Sequence, residues 1–390
     1  MAGEVEERNL FNVSRFRGPQ FDIQVEGNAR TGDAKMPDIR IINGKKKIER
    51  ISFQHGDAYP GRYVAMGSEW TGGRGSVTVM IVLVAAILLA FATPTIAFAQ
   101  RKETMTKVDV DKPVPVKSGH VEANGVNYYY EIHGKGEPLL LLHGGLGSID
   151  LFEPGLPILS QTRQVIAVDL HGHGRTALGN RAISLIDMGD DMATILTKLD
   201  YKVVDVMGYS LGGGVALRLA VQHPASVRRL VLVSTPFSQT GFYPEMLPMQ
   251  AQVGAAMAES IKDTPIYKSY IAIAPKPEDF PRLLDRMGES MRTPYDWSAD
   301  VKKLNMPVML VYGDSDMIRP EHIVQFYQLL GGGLKDAGWM REHMSRNRLA
   351  ILPDVTHYEM AVAPQLVTTV LPFLDGKSGA KSSPDQVQGK

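Results

Sequence analysis

The chain has 390 residues, of which 44% are hydrophobic, so it is long enough for one large domain with additional segments. Its 42 basic and 42 acidic residues cancel, and this neutral balance gives no indication of a nucleic-acid or polyanion partner. The absence of cysteine excludes disulfide bonds, a thiol nucleophile and cysteine-ligated metal.

The chain begins with an N-terminal extension, residues 1–75, to which we assign no role. Residues 21–25 alternate between apolar and polar side chains, a pattern that indicates a short strand. The basic run at residues 45–47 is typical of a solvated surface. No candidate site residue can be identified in this extension.

An uncharged stretch follows at residues 75–100, with a strongly apolar core at residues 77–92. It is long enough for a membrane-spanning helix, which needs roughly 20 residues. It ends with Ala97 and Ala99, the small-x-small pattern of a signal-peptidase site. We therefore predict that residues 76–100 are a signal peptide or a membrane anchor.

The position of this stretch in the chain helps to distinguish a signal peptide from a membrane anchor. A signal peptide begins roughly 15–30 residues before its cleavage site, and far more chain than that precedes Ala99. One interpretation is that translation starts at Met66, which leaves residues 1–65 untranslated and predicts export through residues 66–99 to the periplasm or the medium. The alternative is a membrane anchor, because Lys and Arg are more frequent in the residues that directly follow the stretch than in those that directly precede it.

From about His120 the sequence alternates between strand and helix patterns. Residues 126–132 follow Asn124-Gly125, the dipeptide of a tight hairpin turn. Apolar runs then indicate strands buried on both faces of a largely parallel sheet. These runs are residues 138–142, 165–170, 203–207, 230–233, 308–312 and 349–352. Residues 185–199 have apolar side chains at helical spacing after Ser184, a predicted N-cap. The alternation predicts an α/β fold, wound on both faces of the sheet.

The most informative motif is G-Y-S-L-G at residues 208–212, between a predicted strand and a helix that we expect to begin at Gly213. This is the G-x-S-x-G nucleophile elbow in its strand–turn–helix context. A serine at the apex of so tight a turn has a strained backbone, and flanking glycines let the neighbouring chain pass. The turn lifts the hydroxyl towards a helix N-terminus, which favours negative charge. Ser210 is therefore the predicted nucleophile, and it requires a base from elsewhere in the chain.

Four further motifs accompany the elbow. They are LLHGGLG at residues 141–147, DLHGHGRT at 169–176, VYGDSDMIRP at 311–320 and LPDVTHY at 352–358. In this order the chain resembles the α/β-hydrolase superfamily over roughly residues 118–376, including its Ser…Asp…His order. The resemblance implies an α/β-hydrolase fold, with a mostly parallel, doubly wound sheet and a helical cap insertion.

The resemblance also implies a role for individual residues. The backbone N–H groups of Gly145 and Leu211 would form the oxyanion hole. The family's Gly-x-x-Asp pattern selects Asp316 as the acid of the triad, with Asp314 as its rival. His357 fits the general base in position and in order.

Three other histidines fall within these motifs. His143 belongs to the oxyanion loop and is interpreted as structural. His171 and His173 lie in a turn that is usually structural in the family, and no acidic or cysteine partner is spaced with them for a metal site. We therefore predict no metal site at these histidines. The nucleophilic acyl transfer that the resemblance implies needs neither a metal nor an organic cofactor.

The cap is expected at about residues 236–300, within a hydrolase domain that spans residues 101–376. Its many Met and aromatic residues predict an apolar pocket for a small, apolar, ester-type substrate. Residues 377–390, rich in Lys, Ser, Gly, Gln and Asp, are a predicted disordered tail.

The predicted function is hydrolysis of carboxylic esters by Ser210, His357 and Asp316 through an acyl-enzyme intermediate. The same machinery also serves lactonases, thioesterases, amidases and carbon–carbon hydrolases, and these alternatives stay open. A non-catalytic ligand-binding protein on this fold is the alternative from a different class. Membrane association through residues 76–100 stays open too, and the sequence does not define an oligomeric state.

Overall fold

The structure is a computed structural model that describes strand backbone within residues 15–65 and the whole of residues 114–376. The chain divides into two compact units, Met1–Thr106 and Lys107–Lys390. The predicted signal or anchor segment, residues 76–100, lies outside the described residues, as does the predicted tail, residues 377–390.

The first unit contains two antiparallel sheets of short strands. The first sheet consists of β1 Arg15–Gly18, β2 Phe21–Glu26, β3 Asp38–Ile42 and β4 Ile48–Ile51, each paired with its neighbour in the chain. The second consists of β5 Phe53–His55 and β6 Tyr63–Ala65. The strand predicted at residues 21–25 is confirmed by β2.

The second unit is built on an eight-stranded sheet with the order β14-β13-β12-β11-β9-β10-β8-β7. Its strands are β7 Lys117–Ala123, β8 Val126–His133, β9 Glu137–Leu142, β10 Arg163–Val168, β11 Val204–Tyr209, β12 Val227–Val233, β13 Val308–Ser315 and β14 Arg348–Thr356. The strands from β9 to β14 run parallel, whereas β7 and β8 pair antiparallel. The predicted, largely parallel sheet is confirmed.

Helices connect these strands. They are α1 Leu156–Leu159, α2 Leu185–Lys198, α3 Leu211–Gln222, α4 Met246–Ala251, α5 Pro265–Ile273, α6 Phe280–Arg292, α7 Ser298–Val301, α8 Pro320–Leu329 and α9 Pro364–Leu374. Short 3-10 turns occur at Ile149–Phe152, Pro224–Ser226, Gln239–Gly241, Ala255–Met257, Pro277–Asp279 and Met360–Val362. Among the helices of the described residues, none combines the length and the apolar character needed to cross a membrane.

Local sequence accounts for several of these boundaries. Asn124 and Gly125 adopt φ angles of 50° and 84°, as a two-residue turn between β7 and β8 requires. The Ser184 hydroxyl accepts the backbone N–H of Asp187 at 3.2 Å and so caps the start of α2. Both sequence predictions, the hairpin and the N-cap, are confirmed.

The sheet is buried on both faces, because successive residues of one strand enter opposite cores. Leu140 and Leu142 of β9 belong to the core that includes α2 and α3, whereas Leu139 and Leu141 belong to the core that includes α1 and α9. The sheet is therefore doubly wound, and the loops after its parallel strands meet at the carboxyl edge.

One connection is much longer than the others. Residues 234–307, between β12 and β13, contain α4 to α7 and include the region predicted as the cap. Buried side chains of α6, among them Leu283 and Met287, belong to the core that also includes α2 and α3. This connection leaves the sheet at the carboxyl edge, beside the loops that carry the candidate site residues.

Candidate active site

Ser210 lies at the junction between β11 and α3. Its φ of 52° and ψ of −115° fall in a region that non-glycine residues rarely adopt. Its N–H donates to the Val233 carbonyl at 2.9 Å, and its carbonyl accepts the Gly214 N–H at 3.0 Å. The helix therefore begins at Leu211 rather than at Gly213, because one residue completes the turn.

Close packing explains the two glycines of the elbow. A Cβ atom at Gly208 would collide with the carbonyl oxygen of Gly212. A Cβ atom at Gly212 would collide with the carbonyl oxygens of Leu142 and His143. The elbow thus holds the first turn of α3 directly against the end of β9, where the loop at residues 143–147 begins.

The structure brings together three side chains that the sequence places far apart. His357 Nε2 lies 3.0 Å from Ser210 Oγ, and His357 Nδ1 lies 2.9 Å from Asp316 Oδ1. A carboxylate can only accept hydrogen bonds, so Nδ1 carries the proton and Nε2 presents its lone pair to the serine hydroxyl. Both His357 and Asp316 are buried. This arrangement can remove a proton from Ser210.

The two candidate acids have different surroundings. Asp316 faces His357, and its Oδ1 also accepts the Ile318 N–H at 3.2 Å. Asp314 is exposed, and its Oδ2 accepts the backbone N–H of Asp354 at 3.1 Å. Asp314 therefore holds the backbone of β14 near the end of that strand, and Asp316 is the carboxylate that contacts the histidine.

The candidate oxyanion donors lie side by side. An ideal Cβ on Gly145 would lie 3.9 Å from Leu211 Cβ, so the loop after β9 touches the first residue of α3. Within the described part of the chain, neither of the two N–H groups donates to another protein group. Two unpartnered N–H groups beside a serine hydroxyl are able to bind a developing oxyanion.

The ring of His143 holds the oxyanion loop, residues 143–147, through hydrogen bonds to backbone groups. Its Nε2 accepts the Leu170 N–H at 3.0 Å, so its Nδ1 is protonated and donates to the Gly144 carbonyl at 2.7 Å. Burial lowers the pKa of His143 to about 4, which keeps the ring neutral near pH 7. His143 therefore connects the oxyanion loop to the loop after β10 and does not contact Ser210.

His171 and His173 also contact backbone carbonyls. His171 Nε2 donates to the Leu178 carbonyl at 2.7 Å, and His173 Nδ1 donates to the His171 carbonyl at 2.9 Å. Burial lowers the pKa of both rings, that of His173 to about 3. Across residues 114–376, no group of three side chains is arranged to hold a metal ion.

Two residues near the site were not identified from the sequence. The Tyr209 hydroxyl donates to the His357 carbonyl at 2.6 Å, and its ring packs against Gly144. The Ser234 hydroxyl donates to Asp316 Oδ2 at 2.5 Å. Tyr209 precedes the nucleophile and could have been suspected from the elbow motif. Ser234 has no such signal, because its contact depends on the pairing of β12 with β13.

Helix α6 reaches this end of the sheet. An ideal Cβ on Gly145 would lie only 2.9 Å from the Met287 Cε, so this side chain lies on the oxyanion loop. An ideal Cβ on Gly172 would lie 3.2 Å from Leu283 Cδ1, one helical turn earlier. The long connection between β12 and β13 therefore contacts the loops after β9 and β10.

Comparison with known proteins agrees with this architecture. The sequence profile of the alpha/beta hydrolase fold matches residues 137–285, which include the oxyanion loop and the elbow. The chain has the α/β-hydrolase fold. This α/β-hydrolase is 29% identical over 258 residues to the pimeloyl-[acyl-carrier protein] methyl ester esterase of Nitrosomonas europaea, covering 61% of this chain and 95% of the esterase.

Solved structures share the fold of this α/β-hydrolase. E-2-(acetamidomethylene)succinate hydrolase has a TM-score of 0.52 and 20% identity, covering 66% of this chain and 99% of that chain. Carboxylesterase CesB (YbfK) of Bacillus subtilis has a TM-score of 0.50 and 20% identity, covering 68% of this chain and 93% of that chain. At this identity the likeness establishes the fold, and the reaction has to be argued from the site.

Proposed function

We propose that this α/β-hydrolase is a serine hydrolase that cleaves carboxylic esters through an acyl-enzyme intermediate. The observation that carries the proposal is the hydrogen-bonded chain from Ser210 through His357 to Asp316, with contacts of 3.0 and 2.9 Å. The relative in Nitrosomonas europaea, a methyl ester esterase by name, supports an ester as the substrate class.

In the first half of the reaction, Ser210 Oγ attacks the ester carbonyl while His357 Nε2 accepts the hydroxyl proton. Asp316 keeps the proton of the imidazole on Nδ1 and stabilises the imidazolium that forms. The N–H groups of Gly145 and Leu211 bind the negative oxygen of the tetrahedral intermediate. His357 then gives its proton to the departing alcohol, which leaves the acyl group on the serine.

In the second half, water replaces the alcohol. His357 removes a proton from the water, and the resulting hydroxide attacks the acyl-enzyme carbonyl. The same two N–H groups stabilise the second tetrahedral intermediate, and loss of one such donor typically costs roughly 3–4 kcal/mol of transition-state stabilisation. Return of the proton to Ser210 Oγ releases the carboxylic acid and restores the enzyme.

We propose that residues 236–300 act as a lid over this chemistry. The contact of Met287 with the oxyanion loop supports this role, because it brings an apolar side chain to the loop that would hold the substrate carbonyl. A pocket of this kind favours a small, uncharged ester.

Hydrolysis of p-nitrophenyl esters from C2 to C12 tests the proposal, with wild type and Ser210→Ala measured in parallel. We expect the variant to lose roughly 10⁴-fold or more in kcat while remaining folded by circular dichroism. The acyl length that is hydrolysed fastest then indicates the size of the substrate pocket. Turnover that survives in Ser210→Ala would refute the serine mechanism, and a folded wild type inactive on every ester would redirect the assignment to lactones, thioesters, amides or carbon–carbon bonds, or to a binding protein.

For the location of the protein, we propose export through residues 66–99. The small-x-small pattern at Ala97 and Ala99 supports cleavage there. N-terminal sequencing of the mature protein from its native cells tests this proposal. A terminus just after Ala99 is expected, whereas a terminus at Met1 would contradict it and favour the membrane anchor.

A further inference from the structure

The end of β12 contacts both the nucleophile and the acid of the proposed catalytic chain. The Val233 carbonyl accepts the Ser210 N–H at 2.9 Å. The next residue, Ser234, donates its hydroxyl to Asp316 Oδ2 at 2.5 Å and its N–H to the Val311 carbonyl at 2.8 Å. Two consecutive residues therefore connect the elbow with the loop that carries the acid.

The backbone of Ser234 adopts an unfavourable conformation. It is fully buried and has a φ of 50°, a value that glycine adopts without strain and that serine rarely adopts. Such strain persists where the surroundings over-determine the conformation, and it concentrates at functional sites. Within residues 114–376 the hydroxyl has Asp316 as its hydrogen-bond partner. The serine side chain makes the positive φ unfavourable, and the same side chain donates a hydrogen bond to the acid.

The two oxygens of Asp316 depend on different donors. Oδ1 accepts from His357 Nδ1 at 2.9 Å and from the Ile318 N–H at 3.2 Å. Oδ2 accepts from Ser234, and its other donor in the described part of the chain is the Gly313 N–H at a distant 3.5 Å. The Asp316 side chain is fully buried, so the serine supplies the one short hydrogen bond to Oδ2.

We propose that Ser234 is a positioning residue for the Asp316–His357 pair, an inference that rests on the proposed serine-hydrolase function. The hydroxyl fixes the rotation of the carboxylate, so that Oδ1 faces His357 Nδ1, and it stabilises the negative charge on Oδ2. This donor matters most while His357 is neutral, because an imidazolium itself stabilises the carboxylate. Loss of the hydroxyl therefore favours protonation of the pair and makes the base available only at higher pH.

Two substitutions at Ser234 distinguish the effect of the hydroxyl group from the effect of the backbone conformation. Ser234→Gly keeps the positive φ and removes the donor, whereas Ser234→Asn tolerates the positive φ and offers an amide N–H to Asp316. We expect Ser234→Gly to lower kcat by about 10- to 100-fold, as the loss of a hydrogen bond to a charged group would. We expect the KM of Ser234→Gly to stay close to that of wild type and the acidic limb of its kcat/KM profile to move to higher pH. Ser234→Asn should restore most of kcat and most of the wild-type position of the acidic limb.

The control is Ser238→Ala, which removes another buried serine hydroxyl of the same connection, one that contacts Thr240 Oγ1 at 2.7 Å and not the acid. Titration with a fluorophosphonate counts the active molecules in each preparation. A purely structural role lowers that count but leaves the turnover per active molecule and the acidic limb unchanged.

Each outcome of this experiment decides the proposal. It is overturned if Ser234→Gly has wild-type turnover per active molecule and an unmoved acidic limb, or if Ser234→Asn is no better than Ser234→Gly. Failure of the underlying function gives a different result, because Ser210→Ala would then turn over ester as fast as wild type.

Discussion

The two edges of the eight-stranded sheet are built in opposite ways. At the carboxyl edge, Ser210, Ser234 and Asp354 adopt φ angles of 52°, 50° and 58°, and within residues 114–376 the N–H groups of the neighbouring Gly145 and Leu211 have no protein partner. At the amino edge, the strands begin with charged side chains that pair with one another. Strained backbone and unpartnered donors therefore occur at the edge where the chemistry is proposed, and a cluster of ion pairs around Asp205 lies at the far side of the same strands.

The amino edge is organised around one buried carboxylate. Asp205 accepts from Arg163 at 2.6 Å and from two nitrogens of Arg228 at 2.9 Å each. Arg163, also buried, reaches Asp375 just after α9 at 2.8 Å. These contacts join β10, β11 and β12 to the last helix. The comparison indicates that the amino edge secures the sheet, so that the carboxyl edge can hold strained turns that a loosely anchored sheet would relax.

The largest effect is expected from the acid at the carboxyl edge. Asp316→Asn keeps the size of the side chain but removes the charge that fixes the tautomer of His357, so kcat should fall on the order of 10⁴-fold. The matched variant Asp314→Asn alters an exposed carboxylate at the end of β13, two residues earlier, and should retain most of the activity. Steady-state ester hydrolysis by both variants measures the difference, and equal losses would contradict the assignment of Asp316.

At the amino edge we expect a large effect on stability and little effect on chemistry. Asp205→Asn leaves the buried Arg163 guanidinium without its closest anion, so the free energy of unfolding should fall by about 3–5 kcal/mol. Urea denaturation measures this loss, and ester hydrolysis below the unfolding transition should show a wild-type kcat. If Asp205→Asn keeps its stability but loses kcat, the structural role assigned to the amino edge is contradicted.

A smaller effect is expected on the pH dependence of stability. Burial lowers the pKa of His143 to about 4 and that of His173 to about 3, whereas an unfolded histidine titrates near 6.5. Below about pH 6.5 the unfolded chain binds protons that the folded chain does not, so the free energy of unfolding falls as the pH falls. Each ring contributes a slope of about 1.4 kcal/mol per pH unit between its two pKa values.

The contribution of one ring can be isolated by substitution. His173→Asn retains a donor for the His171 carbonyl and removes the titrating group, so the slope between pH 6 and pH 5 should become shallower by about 1.4 kcal/mol per pH unit. The exposed His120→Asn is the control for removal of a histidine that is not buried. Urea melts at several pH values measure both slopes, and an unchanged slope in His173→Asn would mean that this ring titrates normally in the fold.

Much of the carboxyl edge could be predicted from the sequence, because each loop there carries its own local pattern. Glycine spacing identified the elbow, apolar runs identified the strands, and Asn124-Gly125 identified the hairpin. The helix after the elbow was predicted to begin at Gly213, but it begins at Leu211, since the sequence pattern does not show that Ser210 completes the turn by itself.

The contacts that the sequence did not reveal depend on the order of strands in the sheet. Ser234 contacts Asp316 because β12 lies beside β13, and Arg163 reaches Asp205 because β10 and β11 flank β9. Strand order is set by packing over the whole domain, and no local pattern in these residues encodes it. Such support residues become visible only when the fold is known.

The central claim is that Ser210 is an activated nucleophile, and covalent labelling tests it most directly. Wild type and His357→Ala would be incubated with a fluorophosphonate and digested, and the site of modification would be mapped by mass spectrometry. We expect a single adduct on Ser210 in wild type, formed far more slowly in His357→Ala because the base is absent. An adduct on another residue, or none in a preparation that hydrolyses esters, would contradict the account.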